Sequence, residues 1–136
     1  MCRLLLISHA SLCEEFLKTA EMIMGPSDDG VDYIVFPYGT DLNQYEQKIE
    51  AYVKKSKDEG VVILADLFGG SPFMISSKVY NVNKDICDIE IITGMNLLMV
   101  IEAISSHEFM NAQELKNHLL KSGSEGIVSL SDKLRK

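Results

Sequence analysis

The chain has 136 residues, 46% of them apolar, and a formal net charge of −7. Residues 1–136 are therefore expected to form one domain with a real core, not a disordered or two-domain chain. The acidic balance argues against a nucleic-acid partner, which needs a basic face, and no apolar run approaches the ~20 residues that insert across a bilayer.

The N-terminal run Leu4 to Ile7 is too short for the core of a secretion signal. Cys2, Cys13 and Cys87 are odd in number and lack CxxC spacing. They read as free thiols in a reducing cytosol, so a cytoplasmic location is expected, with no disulfide frame and no zinc site.

Arg3 to Ile7 is a continuous apolar run, as in a parallel strand buried on both faces. Ser11 and Glu14 form a candidate capping box. Leu12, Phe16, Ala20, Ile23 and Met24 follow helical spacing until Gly25-Pro26. Tyr33 to Phe36 reads as the second strand. Asp41 caps a helix with Leu42, Tyr45, Ile49, Tyr52 and Val53 on one stripe, and Gly60 ends it.

Val61 to Ala65 is the third strand. Gly69-Gly70 turns the chain, Ser71 is placed as an N-cap, and Pro72 suits the first helical position. That helix is expected to reach about Tyr80. Ile86 to Thr93 is the fourth strand, and Asn96 caps a helix carrying Leu97, Leu98, Val100, Ile101 and Ile104. Asn111 and Glu114 start one more helix, broken by Gly123 to Gly126. Gly126 to Leu130 reads as a weak fifth strand, and residues 131–136 as a polar tail.

This alternation implies an α/β three-layer sandwich, a four-stranded parallel sheet of order 2-1-3-4 with helices on both faces. Strands one and three are then neighbours where the winding reverses, and a crevice opens at their C-terminal ends. His9 and Asp66 end those strands, and adjacent strands lie ~4.8 Å apart, so the two side chains can meet. Asp66 would hold one ring nitrogen and leave the other free to attack. Helix starts at Ser11 and Ser71 would aim N–H groups into the crevice, with Gly69 and Gly70 letting backbone approach an anion. A histidine nucleophile beside an anion cradle points to phosphoryl transfer through phosphohistidine.

Asp66-Leu67-Phe68-Gly69-Gly70-Ser71-Pro72-Phe73 resembles the D-x-x-G-G-S-P-F signature of the IIA components of mannose-family bacterial sugar phosphotransferase systems. Ile7-Ser8-His9, Leu17 to Met22 and Thr93 to Leu97 resemble further segments of that family, so the likeness spans nearly the whole chain. The resemblance implies a cytoplasmic phosphotransferase that accepts a phosphoryl group on His9, at the ε nitrogen, from the histidine-containing phosphocarrier protein. It implies delivery to a IIB component, coupled by membrane IIC and IID components to sugar uptake. It also implies a homodimer that exchanges a C-terminal strand, here Ile127 to Leu130. Two positions depart from the family pattern: Ala10 where glycine commonly follows the histidine, and Met74 where asparagine often follows Pro-Phe.

No cofactor or metal is expected. His107 and His118 read as solvated helix-end residues, Asp28-Asp29 as a loop, and Lys54 to Lys57 as a solvated helix end. Phe68 and Phe73 suit either the core or a docking surface. Two other functions compete: the phosphocarrier subunit of a dihydroxyacetone kinase, and a regulatory docking module without turnover. A hydrolase is disfavoured, because no G-x-S-x-G elbow is present.

Overall fold

The computed structural model describes residues 1–135. Four strands, β1 (Arg3–Ile7), β2 (Val31–Ile34), β3 (Val61–Ala65) and β4 (Ile89–Ile92), form one parallel sheet in the expected order β2-β1-β3-β4. Helices α1 (Leu12–Met24), α2 (Leu42–Lys55), α3 (Ser71–Asn83), α4 (Leu97–Ser106), α5 (Ala112–Glu125) and the short α6 (Leu130–Leu134) complete the chain.

Strand periodicity splits the core in two. Leu4, Leu6, Val62 and Leu64 point to one face, where Leu17 of α1, Val100 of α4 and Leu119 of α5 cover them. Leu5, Ile7, Ile63 and Ala65 point to the other, against Ile49 of α2 and Val79 of α3. Both faces being covered explains why β1 and β3 are unbroken apolar runs. Each such Leu or Ile contributes about 1.5–3 kcal/mol of burial.

Caps at Asp41, Asn96 and Asn111 form as expected; the side chains accept from Gln44, Met99 and Glu114 N–H. Glu114 returns the bond to Asn111 N–H, completing a capping box. Gly123 does not break α5. A Cβ there would lie 2.8 Å from Met99 Cε, so this glycine lets α5 lie close against α4. The helix ends at Gly126 instead. α3 continues past Tyr80 to Asn83, a buried residue whose Nδ2 donates to Val79 O.

The fifth strand expected at Gly126 to Leu130 does not form within the chain. Residues 127–129 are irregular, and Ser129 caps α6 by accepting from Asp132 N–H at 3.4 Å. A lone extended segment gains no ladder bonds without a neighbouring edge, whereas the Ser129 hydroxyl offers the backbone a local partner. Ile127, Val128, Leu130 and Leu134 remain exposed. The segment expected as a polar tail therefore begins helical, and its last residue, Lys136, lies outside the described residues.

Candidate functional site

Register brings the ends of β1 and β3 together: Ile7 pairs with Ala65. Beyond Ile7, the buried Ser8 turns the chain. Its hydroxyl donates to His9 O at 2.9 Å and accepts from Cys13 N–H at 2.7 Å. Ser8 thus does the work expected of Ser11, which makes no side-chain cap. Ala10 adopts φ +50°, the left-handed region. Two backbone bonds hold it there, Ala10 N–H to Phe36 O at 2.8 Å and Phe36 N–H to Ala10 O at 3.0 Å.

This turn projects His9 beside Asp66. His9 Nδ1 lies 3.0 Å from Asp66 Oδ2, and the same oxygen accepts from His9 backbone N–H at 3.0 Å. A carboxylate only accepts, so Nδ1 carries the proton and Nε2 keeps its lone pair. The His9 side chain is 46% exposed and that of Asp66 only 13%. Asp66 Oδ1 is buried without a hydrogen-bond partner among the described residues. The Phe36 ring stands edge-on to the imidazole with centroids 6.3 Å apart, and is itself backed by Tyr45.

The second turn supplies the opposite wall. Gly70 is the N-cap of α3, with Ser71 first in the helix and Pro72 second, one position later than expected for both. A Cβ at Gly70 would lie 2.5 Å from His9 Cε1 and 3.0 Å from Nε2. The imidazole therefore rests directly against the start of α3, where the N–H groups of Ser71 and Phe73 have no partner within the helix. Gly69, at φ +85°, makes the turn.

The start of α1 contributes less than expected. Its Leu12 and Cys13 N–H groups go to His9 O and Ser8 Oγ, and its first turn carries Glu14 and Glu15. The first turn of α3 carries no acidic residue. Any anion cradle at His9 is built chiefly from α3.

A hollow of about 310 Å³, bordered by His9, Ala10, Phe36, Pro37 and Tyr38, opens beside the imidazole. Tyr38, Leu67, Phe68 and Met74 are exposed. Phe68 stacks against Phe73 with centroids 4.8 Å apart, which places Phe68 on the surface over a half-buried Phe73. Phe36 and Ser8 carry no motif that marks them in the sequence; an antiparallel bridge to Ala10, just beyond the parallel β1–β2 register, brings Phe36 to the site.

The other histidines lie apart. His118 is half-buried, 4.0 Å from Glu102. His107 is fully buried, not solvated: the end of α4 tucks under the start of β1, and the ring reaches the Cys2 carbonyl.

Residues 3–120 match the EIIA-man family model, described as PTS system fructose IIA component. The chain belongs to this family. It is 32% identical over 128 residues to the mannose-specific EIIAB component of Escherichia coli K12, covering 93% of this chain but only 38% of that relative. It is 29% identical to the sorbose-specific EIIA component of Lacticaseibacillus casei, covering 96% of this chain and 92% of that one. The crystal structure of phosphotransferase system component EIIA from Streptococcus agalactiae superposes with a TM-score of 0.89 at 28% identity, over 97% of this chain and 99% of that one.

This EIIA-man chain is thus a mannose-family IIA component of a sugar phosphotransferase system. No helix among the described residues is long and apolar enough to cross a membrane. The left-handed backbone at Ala10 gives a physical reason for a glycine to follow the histidine in such a chain. Met74 lies in the first turn of α3 and is exposed, so its departure changes the rim and not the core.

Proposed function

We propose that this IIA component is a phosphohistidine carrier that accepts a phosphoryl group on His9 Nε2 from the histidine-containing phosphocarrier protein and delivers it to a IIB histidine. The observation that carries this reading is the 3.0 Å contact of Nδ1 with Asp66, which leaves Nε2 as the nucleophile against the start of α3. In the first step the Nε2 lone pair attacks phosphorus while the P–N bond to the donor's imidazole breaks, returning that electron pair to the donor. The second step repeats this with His9 as the leaving group. Nδ1–H stays on Asp66 throughout, and the carboxylate stabilises the positive charge that the ring acquires. Gly69, Gly70 and the N–H and hydroxyl of Ser71 hold the phosphoryl oxygens.

Incubation with phosphoenolpyruvate, enzyme I and the phosphocarrier protein should put acid-labile, base-stable label on the wild type. His9→Ala should take none; equal labelling would end the assignment. Label that enters His9 but never leaves for a IIB acceptor would instead favour a docking module.

The exposed face offered by Tyr38, Leu67, Phe68 and Met74 suits both carrier partners in turn, with the hollow beside His9 taking an apolar side chain. We further propose a cytoplasmic homodimer. β4 is a sheet edge, and Ile127, Val128 and Leu130 are exposed apolar residues that pairing along such an edge would bury. A monomer by light scattering at micromolar concentration would exclude it.

A further inference from the structure

At the opposite end of the sheet from His9, three side chains of the α1–β2 loop and the end of α4 converge. The fully buried His107 places Nδ1 2.8 Å from the Cys2 carbonyl oxygen and Nε2 2.8 Å from Asp28 Oδ2. The exposed Glu108 carries its carboxyl toward the same point. One ligand atom from each of Asp28, His107 and Glu108 lies within 4.8 Å of the others.

A carbonyl only accepts, so Nδ1 carries a proton and holds the ring through the backbone of Cys2. Nε2 then faces the carboxylates. Gly30 closes over the ring, since a Cβ there would lie 2.8 Å from His107 Cε1. The imidazole is therefore fixed and buried, and it meets two carboxyl groups with no lysine or arginine joining them in the ion pairs of the described residues. A proton on Nε2 lets the ring donate to Asp28; without that proton, one nitrogen lone pair and two carboxyl groups converge and can share a cation.

Three features favour a metal ion in that place. A histidine whose second nitrogen is tied to a backbone carbonyl is the usual oriented metal ligand. One imidazole and two carboxylates form a mixed N/O set suited to Zn²⁺. The Asp28 side chain is 36% exposed, so an ion has a solvent approach. We propose that Asp28, His107 and Glu108 bind one divalent transition cation, with Zn²⁺ the preferred occupant and water completing its coordination. The ion would clamp the α1–β2 loop and the end of α4 to the start of β1, roughly 20 Å from His9 along the strand. It takes no part in phosphoryl transfer, and its test is independent of that reading.

The test is calorimetric titration of Zn²⁺ into chelator-stripped, dialysed full-length protein, with thermal melts alongside. One ion per chain should bind at about micromolar Kd, and saturating zinc should raise the melting midpoint by roughly 5 °C. Glu108→Gln, an exposed and non-disruptive change, should weaken binding at least about tenfold with the metal-free midpoint retained; Asp28→Asn should do the same. His9→Ala should bind zinc as the wild type does. Loss of binding in His9→Ala would move the ion to the other histidine–carboxylate pair and overturn the proposal. So would undiminished binding by Glu108→Gln, or a wild type with no saturable zinc uptake.

Discussion

Gly70→Ala isolates the geometry of the proposed nucleophile, His9. Gly70 has φ −74° and ψ 168°, a backbone conformation that alanine adopts freely, so the substitution strains nothing locally. Its methyl group, however, would sit 2.5 Å from His9 Cε1 and 3.0 Å from Nε2. Ordinary carbon contacts are about 3.5–4.0 Å, so the imidazole must retreat by roughly 1 Å. A retreat of that size stretches the 3.0 Å bond from Nδ1 to Asp66 beyond hydrogen-bonding range. Losing a hydrogen bond to a charged group costs about 1.5–3 kcal/mol, which is about 10–100-fold in rate if it is felt in the transition state. A misplacement of about 1 Å independently argues for about 100-fold. Rapid-quench measurement of label transfer from the phosphorylated carrier protein should show a slowing in that range. The melting midpoint should hold or rise slightly, because alanine reduces the entropy of the unfolded chain by about 0.4–1 kcal/mol. Wild-type transfer with unchanged stability would show that the nucleophile does not react from the position against α3.

Asp66→Ala should slow transfer by about 100-fold with the fold intact, since it removes a carboxylate whose Oδ1 is already unpaired; unchanged kinetics would take Asp66 out of the mechanism. Ala10→Gly should stabilise by about 0.5–1 kcal/mol, relieving about 1–2 kcal/mol of left-handed strain against the extra chain entropy of glycine, and a lower urea midpoint would contradict this. Ser8→Ala should destabilise by about 1–3 kcal/mol by orphaning Cys13 N–H, read from chemical denaturation; no loss would mean that the turn is held elsewhere. Burial pushes the Cys2 thiol up to about 11, so the folded state keeps a proton that the unfolded chain releases near 9. Stability from Cys2 should be intact below pH 9 and fall as pH rises from 9 to 11, and Cys2→Ala should flatten that limb of the stability–pH curve.

Where apolar pattern and sheet topology agree, the sequence is easily read. β1 and β3 are buried on both faces, so their runs are continuous, and the sheet order follows from handedness and the placement of the glycine turns. The pair His9 and Asp66 is legible for the same reason, because strand ends in register must meet. What escapes is tertiary. Ser8, not Ser11, closes the first turn, since a hydroxyl five residues before its N–H partner leaves no local motif. Gly70 caps α3 because its neighbour is an imidazole that tolerates no Cβ, a constraint set by a residue 61 positions away. His107 follows Ser105-Ser106 and reads as solvated, yet a carbonyl at the other end of the chain buries it. The segment after Gly126 alternates poorly and pairs with neither sheet edge of its own chain, and its local cap forms instead.

The site divides its labour between burial and exposure. Asp66 is sunk to 13% while His9 stands 46% exposed, so the carboxylate is more shielded than the imidazole it holds. An enzyme acting on a small molecule would enclose its nucleophile to exclude water. A carrier cannot do so, because its substrate arrives on one protein and leaves on another. On the proposed route, water must be excluded by each partner as it docks. The rim of Tyr38, Leu67, Phe68 and Met74 supplies apolar surface for that without enclosing the site in advance. On the same proposed route the donors to the moving phosphoryl group would belong to backbone at the start of α3. On that route positioning would be carried by this chain and dehydration by its partners. Substitutions at the rim should therefore act on docking, and substitutions at Asp66 and Gly70 on the transfer step itself.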